Sequence, residues 1–104
     1  MKRIGFKMKL HKGMEQEYQL RHDKIWPELV IALKAAGVSD YVIFLDVETG
    51  YLFGTLKCET PGKLDELPQL PIMKKWWAYM KDIMDTNADY SPVSIPLQEM
   101  FYLP

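Results

Sequence analysis

Tyr41-Val42-Ile43-Phe44-Leu45-Asp46-Val47-Glu48-Thr49-Gly50-Tyr51-Leu52-Phe53-Gly54-Thr55-Leu56-Lys57 carries the reading that decides the fold. Its first five residues are aromatic, β-branched or aliphatic, the types that fit a pleated, half-buried surface. Asp46 to Gly50 is a turn cluster, and Tyr51 opens a second strand-like run, so the stretch reads as a β-hairpin. On its N-terminal side, Gly37 marks the C-terminal cap of a helix that begins at Pro27, with Leu29, Val30 and Leu33 as its apolar stripe. Pro27 also disfavours helical backbone at Trp26, so a break is expected near Ile25-Trp26. Before it, Met14, Tyr18 and His22 lie four apart on one face of a helix. Ile4, Phe6, Met8 and Leu10 alternate with Gly5, Lys7 and Lys9, which predicts a first strand.

On the C-terminal side, Thr60-Pro61-Gly62 closes the hairpin. A short helix is expected around Lys63–Leu67, and Pro71 can open a longer one running through Trp76, Trp77, Met80 and Met84. The stretch from Asp85 to Pro96 is rich in Asn, Asp, Ser and Pro and reads as loop. Leu97 to Leu103 reads as a last strand. The order is β-α-β-β-α-β, an α+β, ferredoxin-like arrangement with helices on one face of an antiparallel sheet. The other face must meet water, a ligand or a second subunit, and its apolar content points to a two-fold dimer.

Composition narrows the function classes. The length of 104 residues fits a single domain spanning 1–104. A net charge of -1 argues against a nucleic-acid partner, which would demand a basic face. Nothing in the chain is apolar for long enough to span a membrane. Lys7 and Lys9 interrupt any signal-like apolar segment after the basic start. Cys58 is the only cysteine, so no internal disulfide forms and a cytoplasmic location is expected. With His11, His22 and Cys58 alone, a dedicated site of several His or Cys ligands for metal is not expected. Three Trp and six Tyr exceed what so small a core needs, and both types suit pockets for amphipathic ligands.

Tyr18 and His22, one helical turn apart, can point into one cavity, and histidine titrates nearest neutrality. Spacing alone favours reading His22 as a satisfied core or surface histidine. Trp76 and Trp77 point about 100° apart, so both cannot face the same core. One of them is free to offer an indole face to the C–H face of a sugar. Tyr41 shares a strand face with Ile43 and Leu45, where packing is the simpler role. His11 is expected in an exposed turn, and the methionines as core filler.

The chain resembles the L-rhamnose mutarotase family from end to end. The resemblance lies in Glu17-Tyr18, in Arg21-His22 with Ile25-Trp26-Pro27-Glu28-Leu29, in Tyr41, and in Trp76-Trp77 with Tyr79-Met80. It extends to Ser91-Pro92-Val93-Ser94 and to Leu97-Gln98-Glu99 with Phe101-Tyr102-Leu103-Pro104. It implies a dimeric α+β barrel and an isomerase that interconverts the anomers of L-rhamnose without cofactor or metal. It also implies His22 as proton donor, with Tyr18, Tyr41, Trp76 and Trp77 contacting the sugar. The proline-rich stretch 60–75 departs from the pattern, with Leu64 where the family often carries Trp. Two other classes compete. Dimeric α+β barrels include cofactor-free monooxygenases and haem-degrading proteins, in which a helical His could be a ligand. A non-catalytic sugar-binding or purely structural role is the third.

Overall fold

The alternation of Ile4, Phe6, Met8 and Leu10 with smaller or charged residues becomes a strand, β1 (Lys2–Lys9), in a computed structural model that describes residues 2–104. It is followed by α1 (Glu15–Asp23), α2 (Pro27–Ala35), β2 (Val38–Leu45), β3 (Tyr51–Cys58), α3 (Pro61–Leu64), a 3-10 turn (Leu67–Gln69), α4 (Pro71–Met80) and β4 (Ile95–Leu97). The strands form one antiparallel sheet in the order β2-β3-β1-β4. This is the expected α+β, ferredoxin-like arrangement. The break at Trp26 is present. Trp26 takes an extended conformation and Pro27 opens α2. Gly37 follows α2 with φ +84°, and its amide donates to the Lys34 carbonyl at 3.0 Å.

Each strand sends alternate residues to the two faces. Met8, Leu10, Leu52, Leu56 and Cys58 point inward and join Leu29, Met73, Trp76 and Met80 in the core. Gly54 lies among them because Phe6 of β1 crosses directly over it. A Cβ at Gly54 would stand 2.5 Å from the Phe6 ring. The outer face carries Val42 and Phe44 of β2, Tyr51 and Phe53 of β3, and Ile95 and Leu97 of β4. No helix among the described residues is long and apolar enough to cross a membrane.

Four elements differ from expectation, the first being β2, which begins at Val38 rather than at Tyr41. The helix expected through Met84 ends at Met80, because Met84 leaves the helical path to bridge Leu10, and the His11 amide donates to the Ile83 carbonyl. The expected strand Leu97–Leu103 is replaced by three residues, Ile95–Leu97, paired to Gly5–Lys7. Beyond Leu97 the chain has no strand beside it, and Tyr102 instead receives the Arg3 guanidinium 4.7 Å from its ring centroid. The short helix expected around Lys63–Leu67 is split into α3 and the 3-10 turn.

Candidate active site

Between the inner face of the sheet and the helices lies a cavity of about 880 Å³, within the range of small-molecule sites. Phe6, Met8 and Leu10 of β1 and Tyr41, Ile43 and Leu45 of β2 line the sheet side. Tyr18 and His22 of α1, Leu29 and Leu33 of α2, and Met73, Trp76, Trp77 and Met80 of α4 line the helical side. All five residues singled out from the sequence therefore border one cavity: Tyr18, His22, Tyr41, Trp76 and Trp77. Angular spacing on the helix left one tryptophan free for a pocket, and the family resemblance implied both; both line the cavity. Trp76 is buried and Trp77 half-buried, and the cavity is wide enough to meet indoles pointing about 100° apart.

The aromatic rings fix one another. Tyr18 and His22 stack at 4.3 Å between centroids, as their i, i+4 spacing allows. His22 meets Trp76 edge to face at 5.4 Å, and Trp76 meets Trp26 in the same way at 5.1 Å. Trp26 stacks on Tyr79 at 5.4 Å. His22 Nδ1 lies 3.0 Å from the Tyr18 carbonyl oxygen. A carbonyl only accepts, so Nδ1 carries the proton, and in the neutral ring Nε2 keeps its lone pair. Burial pushes the His22 pKa below the usual 6.5, opposed by the bond to Tyr18 and by the charge of Asp23. His22 is therefore neutral at pH 7.

A β-bulge aims Tyr41. Ser39 opposes Lys57 and Val42 opposes Thr55, so Asp40 and Tyr41 together face a single residue of β3. The extra residue resets the alternation, bringing Tyr41 to the inner face with Ile43 and Leu45. Asp40 absorbs the irregularity at φ +48°, a left-handed conformation that Asp tolerates better than most residues, and its carboxylate pairs with Lys57 at 3.1 Å. Although Tyr41 is 39% exposed as a residue, burial of its phenol raises the pKa to about 12. The Tyr18 phenol is pushed up further, first by burial and then by Tyr41. Both stay protonated at neutral pH and can donate hydrogen bonds.

Glu15, Gln16, Gln19 and Ser94 also line the cavity and were not anticipated. For Glu15 and Gln19 the signal was available, since both lie within helical reach of Tyr18 or His22 on the same face of α1. Ser94 reaches the cavity from a loop, where no periodicity points to it. From the sequence Trp26 reads only as a helix break and Tyr79 only as part of the family resemblance, yet both buttress Trp76. His11 is exposed, as expected, and pairs with Asp85 at 3.1 Å.

Against known proteins, a family profile described as L-rhamnose mutarotase matches residues 3–103. An L-rhamnose mutarotase of Sinorhizobium fredii is 54% identical over 99% of this chain and 99% of its own length. One of Brucella anthropi is 57% identical over 98% of this chain and 96% of its own. The crystal structure of an L-rhamnose mutarotase from Formosa agariphila superposes with a TM-score of 0.94, at 51% identity and with both chains fully covered. A protein of Deinococcus radiodurans described as an antibiotic biosynthesis monooxygenase, 16% identical, superposes at 0.56 and shares the fold alone. With the full-length profile match, relatives above 50% identity and a near-coincident backbone, this chain belongs to the L-rhamnose mutarotase family.

Proposed function

We propose that this protein interconverts the α and β anomers of L-rhamnopyranose, acting as an isomerase in the mutarotase class. The observation that carries this reading is the convergence of His22, Tyr18, Tyr41, Trp76 and Trp77 on one cavity in a chain of this family. Ring opening moves one proton. The anomeric O–H breaks, the proton reaches the ring oxygen, and the C1–ring-oxygen bond cleaves to leave a free aldehyde. The aldehyde turns and the steps run backwards on its other face. Both oxygens are bonded to C1, so one nitrogen can serve both. His22 Nε2 takes the anomeric proton as a neutral base, and the imidazolium then acts as proton donor to the ring oxygen. Tyr18 and Tyr41, held as neutral phenols, donate hydrogen bonds to sugar oxygens. The indoles of Trp76 and Trp77 supply flat surfaces for the sugar's C–H face.

General acid–base transfer supplies roughly 10²–10⁴-fold. Holding the anomeric carbon against Nε2 adds the effect of orientation. The test is His22→Asn, which keeps a hydrogen-bonding side chain of similar size. Anomer exchange should fall by roughly 10²-fold or more while circular dichroism stays parental. Parental exchange by the folded variant would overturn the role of His22.

The same reading includes a homodimer, supported by the apolar outer sheet face and by Met100, Phe101 and Leu103, which stand exposed beyond β4. It also includes a cytoplasmic location, supported by Cys58, which is free and buried.

A further inference from the structure

Helix α1 carries His22 and helix α4 carries Trp76 and Trp77, yet the backbones of the two helices do not pack closely along one another. Side chains set their separation, and Arg21 makes the polar part of that link. Its side chain is only 10% exposed. Nε donates to Glu17 Oε2 at 2.8 Å on its own helix. Nη1 crosses to donate to the Tyr79 carbonyl at 2.7 Å and to Asp82 Oδ1 at 3.0 Å, and Nη2 donates to Asp82 Oδ2 at 3.2 Å. The guanidinium also lies 4.3 Å from the centroid of the Tyr79 ring. A bidentate, planar fork of this kind fixes direction as well as distance, which a lysine cannot do. The Tyr79 carbonyl belongs to the last turn of α4, where no helical amide is available to it. From Arg21 the contacts close on themselves. Tyr79 stacks on Trp26, Trp26 abuts Trp76, and Trp76 abuts His22, the residue next to Arg21 in the chain.

We propose that Arg21 is a positioning residue for the anomer exchange: by tying α1 to the last turn of α4 and to Asp82 beyond it, it sets the placement of His22 against the tryptophan wall. Arg21 does not line the cavity, so its effect reaches the sugar through His22 and Trp76. The proposal rests on His22 being the group that moves the proton. A misplacement of about 1 Å in such a site can cost on the order of 10²-fold.

The experiment compares Arg21→Met, Arg21→Lys and Asp82→Asn with the parent, using anomeric exchange of L-rhamnose for kcat and KM and tryptophan fluorescence for sugar affinity. Asp82 is 61% exposed, so its variant keeps the fold even where an Arg21 variant does not. Arg21→Met should lower kcat by roughly 10- to 100-fold with a much smaller change in KM. Arg21→Lys should recover part of that loss, and Asp82→Asn should show the same kcat-weighted pattern more weakly. In a His22→Asn background, Arg21→Met should cost little further rate. Folded Arg21 and Asp82 variants with parental kcat, or an Arg21 effect undiminished without His22, would overturn the proposal. A parental rate in His22→Asn alone would instead strike down the reading beneath it.

Discussion

His22 is held in one tautomer by the carbonyl of a residue it also stacks upon, and this sets how it responds to pH. Burial depresses its pKa below 6.5. As pH falls, the unfolded chain takes up this proton first, so stability is lost as pH drops from about 6.5 through the folded pKa, and it is full above 6.5. Turnover should follow the same group. The rate should hold at neutral pH and fall on an acid limb centred below 6.5, read by exchange measurements from pH 7.5 downward. That limb should vanish in His22→Asn, and a limb centred above 6.5 would contradict the burial argument. Trp76 and Trp77 should separate by stability. Trp76→Ala, at a buried position joined to Trp26, Tyr79 and His22, should cost about 3–5 kcal/mol in denaturant unfolding. Trp77→Ala, half-buried, should cost less and act mainly on sugar affinity. Equal destabilisation with unchanged binding would remove both from the sugar's wall. Helical spacing made Tyr18 and His22 legible as a pair. It did not reveal Arg21's reach to Asp82, because 61 residues separate them and only the folded chain brings them together.

At the scale of elements, the bulge in β2 and the glycine in β3 shape the sheet side of the cavity. Asp40→Val places a β-branched residue at φ +48° and should destabilise the protein by roughly 1–2 kcal/mol, whereas Asp40→Gly should cost little of this. Chemical denaturation of the two variants checks the difference, and equal stabilities would mean that the bulge is not strained. Gly54→Ala should force the Phe6 ring aside towards Tyr41, which it meets edge to face at 6.0 Å, at a cost of about 1–3 kcal/mol. The shared face of Tyr41, Ile43 and Leu45 was readable from alternation. The start of β2 at Val38 was not, because the bulge interrupts the alternation between Val38 and Tyr41. The hairpin, the break at Trp26 and the cap at Gly37 were legible because proline, glycine and β-branched residues act locally. The ends of α4 and β4 were not, because Leu10 and Arg3, distant in sequence, set where Met84 and Tyr102 lie.

At the scale of the molecule, the outer sheet face and the terminal segment show large apolar side chains to water, Phe44 at 64% and Phe101 at 80% exposure. Exposed apolar side chains of this kind support the proposed homodimer. Sedimentation equilibrium should give a mass of twice the 12.2 kDa chain, and Phe44→Lys should shift it towards monomer. A parent that stays monomeric at all concentrations would leave that face without the proposed partner. Sugars also exchange anomers unaided, so the role proposed for the cavity requires exchange faster than the spontaneous reaction. Saturation transfer between the α and β anomeric protons of L-rhamnose, with and without micromolar protein, tests this most directly. Catalysis predicts exchange that rises in proportion to protein concentration and far exceeds the spontaneous rate. Exchange indistinguishable from that of the sugar alone, in a sample where rhamnose still perturbs tryptophan fluorescence, would show a sugar-binding protein without mutarotase activity.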